Sequence, residues 1–267
     1  MHWHAHPDVL LGLALIEGVY LLGVGPLRTR YNLAGSVDSR QTATFTAGVL
    51  VIFVSLLSPI HELADTYLFS AHMVQHVLLT LVAPPLLILG MPDWLLRPLL
   101  RSNWAFRSAR LLTNPIVAFV TFSFLFAVWH IPSLYNHSVT NHGVHIGEHI
   151  LFILTAGLMW WPITSNMPEL PRLSDPMKMA YLFLLSIPQI IIFAPITFAS
   201  EPLYDFYVNA PRIWNVTPLV DQQIGAIIMK MGGGLLFLTL MIITFFRWFN
   251  REEQQRRGAE PSGEEFY

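Results

Sequence analysis

The sequence predicts an all-α polytopic membrane protein with seven transmembrane helices, its N-terminus outside and its C-terminus inside. Three observations carry this. Of 267 residues, 54% are hydrophobic and 12% charged, whereas soluble domains carry about 25% charged residues. Seven stretches approach the roughly 20 mostly apolar residues that a span needs. The basic residues also fall almost wholly between alternate stretches.

The stretches are residues 9–27, 42–59, 67–90, 114–131, 144–163, 178–199 and 222–246. The first is interrupted only by Glu17. The third holds His72 and His76 in its first half, and the seventh contains Lys230. Pro84, Pro85, Pro188 and Pro195 sit inside spans, where each removes a helix hydrogen bond and permits a kink. Residues 93–112 repeat Leu, Trp and Arg, as an interfacial amphipathic helix or a plain basic loop would. Residues 1–250 form the bundle, and the charged tail 251–267 is expected to be a disordered cytoplasmic extension.

Orientation follows from Lys and Arg. With the N-terminus outside, inner segments hold Arg28, Arg30, Arg40, Arg97, Arg101, Arg107, Arg110, Arg172, Lys178, Arg247, Arg251, Arg256 and Arg257. These are thirteen of the fifteen basic residues. Only Arg212 falls in an outer loop. The N-terminus lacks a basic leader and a small-residue cleavage pattern, so the first span is expected to be an uncleaved anchor.

A net charge of −2 gives no basic field for nucleic acid. The absence of cysteine excludes disulfides, thiolate nucleophiles and Cys-ligated metals. The 11 histidines become the candidates for metal or proton chemistry. In this topology all of them fall on the outer side: His2, His4, His6, His61, His72, His76, His130, His137, His142, His145 and His149.

Two pairs have ligand spacing. His72 and His76 are four residues apart, as are His145 and His149. Such residues stack on one helix face, about 5–6 Å apart at Cβ. Both pairs begin about one turn below the outer surface, so two adjacent helices bring four nitrogens to one depth. Met73 adjoins the first pair, Glu148 lies within the second, and His130 reaches a similar level. Polar residues inside a membrane usually face the bundle interior, which fits a metal site or a proton path. Imidazole suits Zn, Cu and Fe, and thioether suits Cu(I). Met73, Met229 and Met231 tilt the balance towards copper. The His2-x-His4-x-His6 run reads as solvated polar residues or a loose metal trap.

Glu17 and Lys230 each lie about nine residues from the outer end of their span, or roughly 13 Å deep at about 1.5 Å per residue. They are expected to pair across the bundle, so that Lys230→Met rescues Glu17→Gln. Asp221 and Gln222 open the seventh span, as supports for the histidines or as a helix cap.

Ser58-Pro59, Tyr67-Leu68-Phe69-Ser70-Ala71-His72-Met73-Val74-Gln75-His76 and Ala83-Pro84-Pro85-Leu86-Leu87-Ile88-Leu89-Gly90 resemble the CtaG-type family of cytochrome c oxidase assembly proteins. These are bacterial seven-span proteins associated with caa-type oxidase. Trp129-His130-Ile131-Pro132, the His145–His149 helix and Asp221-Gln222-Gln223 carry the likeness along nearly the whole chain. The resemblance implies a non-enzymatic assembly factor of the bacterial plasma (inner) membrane. It would bind copper and pass it to a haem-copper oxidase subunit, with His72, His76, His145, His149 and Met73 as ligands. Three alternatives remain beside it. One is a zinc hydrolase acting on lipid with Glu148 as base, another a haem protein with histidine axial ligands, and the third a proton-linked transporter using Glu17 and Lys230.

Overall fold

The computed structural model describes residues 6–165 and 167–259. It is all-helical, with 82% helix and no strand among the described residues. Helices α1 (Pro7–Arg30), α2 (Ser39–Leu57), α4 (Phe69–Gly90), α9 (His142–Thr164), α10 (Asp175–Thr197) and α12 (Pro218–Ala259) are long and apolar enough to cross a membrane. Between them lie α3 (Pro59–Thr66), α5 (Asp93–Leu96), α6 (Asn103–Leu112), α7 (Pro115–Trp129), α8 (Pro132–Thr140) and α11 (Asp205–Asn209).

The expected fourth span is α7, with 15 residues. At about 1.5 Å per residue that is short for a bilayer core of about 30 Å. It adjoins α6 at a bend of 65°, and the spans number seven if this pair is one of them. Pro115 causes the bend, because its ring cannot follow a helical residue. The Asn114 side chain then caps α7 by accepting from Ile116 N and Val117 N. Residues 103–112 are therefore helical, with Trp104 79% exposed.

Two spans contain a π turn beside proline, Gly23–Leu27 around Pro26 and Leu78–Val82 before Pro84. Pro84 has no N–H for the Thr80 carbonyl four residues earlier. The Trp160 indole of α9 donates to that carbonyl at 2.9 Å instead. This ties α9 to α4 just below His76. Pro188 and Pro195 leave α10 an uninterrupted helix.

Packing fixes which faces meet. α12 packs on α10 and on the first half of α4, and α9 packs on α7 and the second half of α4. Gly90 sits where a Cβ would come within 2.3 Å of Phe45 N, so α4 and α2 approach backbone to backbone. Tyr20 of α1 closes this corner, donating to the Gly90 carbonyl at 2.9 Å. The last helix corrects the expected boundary of the tail. α12 runs on through Ala259, because 252–257 are good helix formers and Arg257 pairs with Glu253. Residues 260–267 of that tail lie outside the described residues, as do His2 and His4.

Candidate metal centre

The histidines of α4 are positioned from outside their own helix. Leu68, at the N-cap of α4, has no capping side chain. Asp221 of α12 takes that role. Its Oδ2 accepts from Phe69 N at 2.7 Å, and its Oδ1 accepts from Ser70 N at 3.1 Å and from the Ser70 hydroxyl. A carboxylate there satisfies N–H groups that no helical carbonyl can reach, and it faces the positive end of the helix dipole. α9 has an ordinary cap, Asn141, whose side chain accepts from Val144 N at 3.2 Å.

So held, the two pairs converge. The His72 ring stacks on His145 at 5.2 Å and lies 5.9 Å from His149, while His76 lies 5.8 Å from both His149 and His130. All five rings are buried. Ring nitrogens of His72, His76 and His149 fall within 4.8 Å of one another, and the Nε2 atoms of His72 and His76 are 2.8 Å apart.

The hydrogen bonds decide which nitrogens carry lone pairs. Tyr207 of α11 donates its hydroxyl to the Ala64 carbonyl at 2.8 Å, so it accepts from His72 Nδ1 at 3.3 Å. Burial pushes this hydroxyl well above the ordinary phenol range, so it stays protonated. His72 Nε2 is therefore a bare acceptor. His130 donates Nδ1–H to the Phe126 carbonyl at 2.7 Å, which bares its Nε2 as well. Buried His76 Nδ1, His130 Nε2, His145 Nε2, His149 Nε2 and Glu148 Oε1 make no hydrogen bond in the structure. Such orphans are costly in a core. His76 Nε2 meets the His72 lone pair at 2.8 Å, so a proton on His76 Nε2 or a cation lies between them. A metal ion fits this imidazole donor set, in which a phenol orients His72 and a carbonyl orients His130 from behind.

Glu148 lies beside the cluster. Its Oε2 accepts from the Ser138 hydroxyl of α8, and its Oε1 stands 3.8 Å from His76 Nε2. Sequence reasoning missed Asp65, Ser138 and Tyr207, and named His61 among the outer histidines without giving it a role. Asp65 Oδ2 lies 3.4 Å from His61 Nε2 and 3.7 Å from His145 Nδ1, and burial pushes its carboxyl up to about 7. Gln75 donates to His61 Nδ1 at 3.1 Å, so the proton of His61 sits on Nε2, facing Asp65. The available signal was the spacing of four between His61 and Asp65. It was lost because α3 reads as a loop.

Several expectations are corrected. Met73 lies on another face of α4, packed where a Cβ on Gly225 of α12 would come within 3.0 Å of its side chain. Residues 72 and 73 are about 100° apart around the helix, so one cannot follow the other to α9. Asp221 supports the histidines only through its cap on α4, and Gln222 bonds none of them. Gln222 ties the loop after α10, accepting from Leu203 N at 2.6 Å and donating to the Ile196 carbonyl at 3.1 Å. The Glu17–Lys230 pair does not form. Glu17 accepts from Thr46 of α2 at 2.6 Å, and Lys230 donates to the Ser186 carbonyl of α10 at 3.3 Å. The two charges lie on helices with different neighbours, α1 packing on α2 and α12 on α10 and α4. A double-mutant cycle of Glu17→Gln and Lys230→Met is therefore expected to be additive to about 0.5 kcal/mol in thermal unfolding. Rescue of one by the other would restore the pair.

A cleft of 420 Å³ between α1, α2 and α9 leads to the cluster, apolar along Leu13, Ile52 and Ile153 and ending at Asp65, His145 and His149.

Residues 18–251 match the family model described as cytochrome c oxidase caa3 assembly factor. Uncharacterized proteins of Mycobacterium leprae (strain TN) and Mycobacterium tuberculosis (strain CDC 1551 / Oshkosh) are each 25% identical over 92% of the chain and 40% of their own length. The chain thus spans about two fifths of these curated relatives. No solved structure matches it.

Proposed function

Because the chain belongs to the cytochrome c oxidase caa3 assembly factor family, we propose that it binds copper at His72, His76 and His149 and passes the ion to a haem-copper oxidase subunit. The observation that carries this reading is the convergence of buried His72, His76 and His149, whose ring nitrogens lie within 4.8 Å of one another, with His76 Nδ1 and His149 Nε2 making no hydrogen bond. Three imidazoles from two helices hold Cu(I) well and leave room for an incoming ligand, which is what transfer by ligand exchange requires. His130 Nε2 and His145 Nε2 are spare donors at the rim. The setting is the bacterial plasma membrane, with the histidine end outside as the arginines indicate. Deleting the gene is expected to leave an oxidase that keeps its haem and loses the copper of its buried centre, measured by metal analysis of the purified enzyme. An oxidase with full copper would overturn the proposal.

A second reading rests on Glu148 and the cleft. Three histidines, a carboxylate oxygen 3.8 Å from His76 and an apolar groove ending at His149 also suit a zinc hydrolase acting on lipid, with Glu148 as base. Release of fatty acid by the zinc-loaded protein, abolished in Glu148→Gln, would favour it.

A further inference from the structure

The deep triad does not exhaust the ligands at this end of the bundle. Asp65, His72 and His145 form another group whose donor atoms lie within 4.8 Å of one another, and it shares His72 with the triad. Asp65 Oδ1 and His145 Nε2 are both buried without a hydrogen bond. His61 holds the carboxylate from behind, and is itself held by Gln75. That is the carboxylate–histidine support seen around built metal sites. Towards the mouth of the cleft the imidazoles continue. The His6 ring lies 4.9 Å from His61 and 6.3 Å from His142, and all three line the same cleft as Asp65 and His145.

We propose that Asp65, His72 and His145 form a second, shallower cation site through which an ion reaches, and leaves, the deep triad. The inference deepens the copper reading and rests on it. Sharing His72 makes the two sites alternatives for one ion, so the ion moves by exchanging ligands one at a time around a fixed imidazole. The chemistry also differs between the stations. The shallow site offers a carboxylate beside its imidazoles and the deep triad imidazole alone, and the ion keeps its oxidation state as it changes ligands.

The test removes the deep ligands and keeps the shallow ones. In His76→Ala/His149→Ala, Cu(II) is expected to bind at one ion per chain, about 100-fold more weakly than in wild type. Its electron paramagnetic resonance should show mixed nitrogen and oxygen ligation, and adding Asp65→Asn should abolish binding. A double variant of wild-type melting behaviour that binds no Cu(II), or whose binding ignores Asp65→Asn, overturns the shallow site while leaving the deep one standing. Wild-type protein that binds no copper overturns both. Should the double variant fail to fold, Asp65→Asn alone decides. It is expected to retain one Cu(I) per chain and to load at least tenfold more slowly in stopped flow. Unchanged loading overturns the proposal.

Discussion

Replacing His72 and His76 together by alanine is expected to abolish copper binding, with the affinity for Cu(I) falling by well over 100-fold in competition with a chelator. Disturbing only the groups behind a ligand costs about 10–100-fold, and here two direct ligands of three are lost. His72 matters most, because it belongs to both donor groups and is the ring that Tyr207 orients. No alternative station survives its removal. His149→Ala should weaken binding less than the double change, since His72 and His76 keep their 2.8 Å contact. Met73→Leu supplies the contrast. Its side chain packs against Gly225 rather than the rings, so copper content should stay at the wild-type level. Copper retained in His72→Ala/His76→Ala would sink the site. Copper lost in Met73→Leu would return the thioether to it.

What was legible in the sequence, and what was not, divides along one physical line. Depth along the bilayer normal can be counted at about 1.5 Å per residue. Hence six of the seven stretches begin within four residues of a long apolar helix, and the two histidine pairs were set at one level. Lateral adjacency cannot be counted that way. Glu17 and Lys230 count to one depth and face Thr46 and Ser186. Which way a residue points within the bundle also depends on neighbours. His72 turns to α9, while Met73, one residue on, turns to α12. The short helices that roof the site were the least readable, because five to nine residues offer too few turns for a periodic signal. They carry Asp65, Ser138 and Tyr207. The replacement of a missing proline donor by Trp160 is likewise a contact between helices, invisible until they pack.

Asp221→Ala is expected to be the most damaging change outside the histidines, lowering stability by about 3–4 kcal/mol and copper affinity with it. Asp221 is 2% exposed and accepts from two backbone N–H groups and one hydroxyl. Leaving a buried donor unpaired costs about 1–3 kcal/mol, and hydrogen bonds to a charged group lie at the upper end of the usual range. Alanine abandons all three donors together, without full additivity. The favourable charge at the start of α4 goes as well. The loss bears on function because the capped turn begins three residues before His72. A frayed first turn frees that ring from its register with His76 and His145. Asp221→Asn keeps the shape and one acceptor, but turns an amide N–H towards a donor, so it should fall between wild type and alanine in both readouts. Gln222→Ala is the control from the adjacent residue. It frees Leu203 N and the Ile196 carbonyl, neither of which bonds a histidine ring, so it should lower the melting temperature in detergent while the copper affinity holds. If Asp221→Ala lowered stability and left copper affinity untouched, the cap would serve the bundle alone, and the histidines of α4 would owe their placement to the Trp160 tie below them.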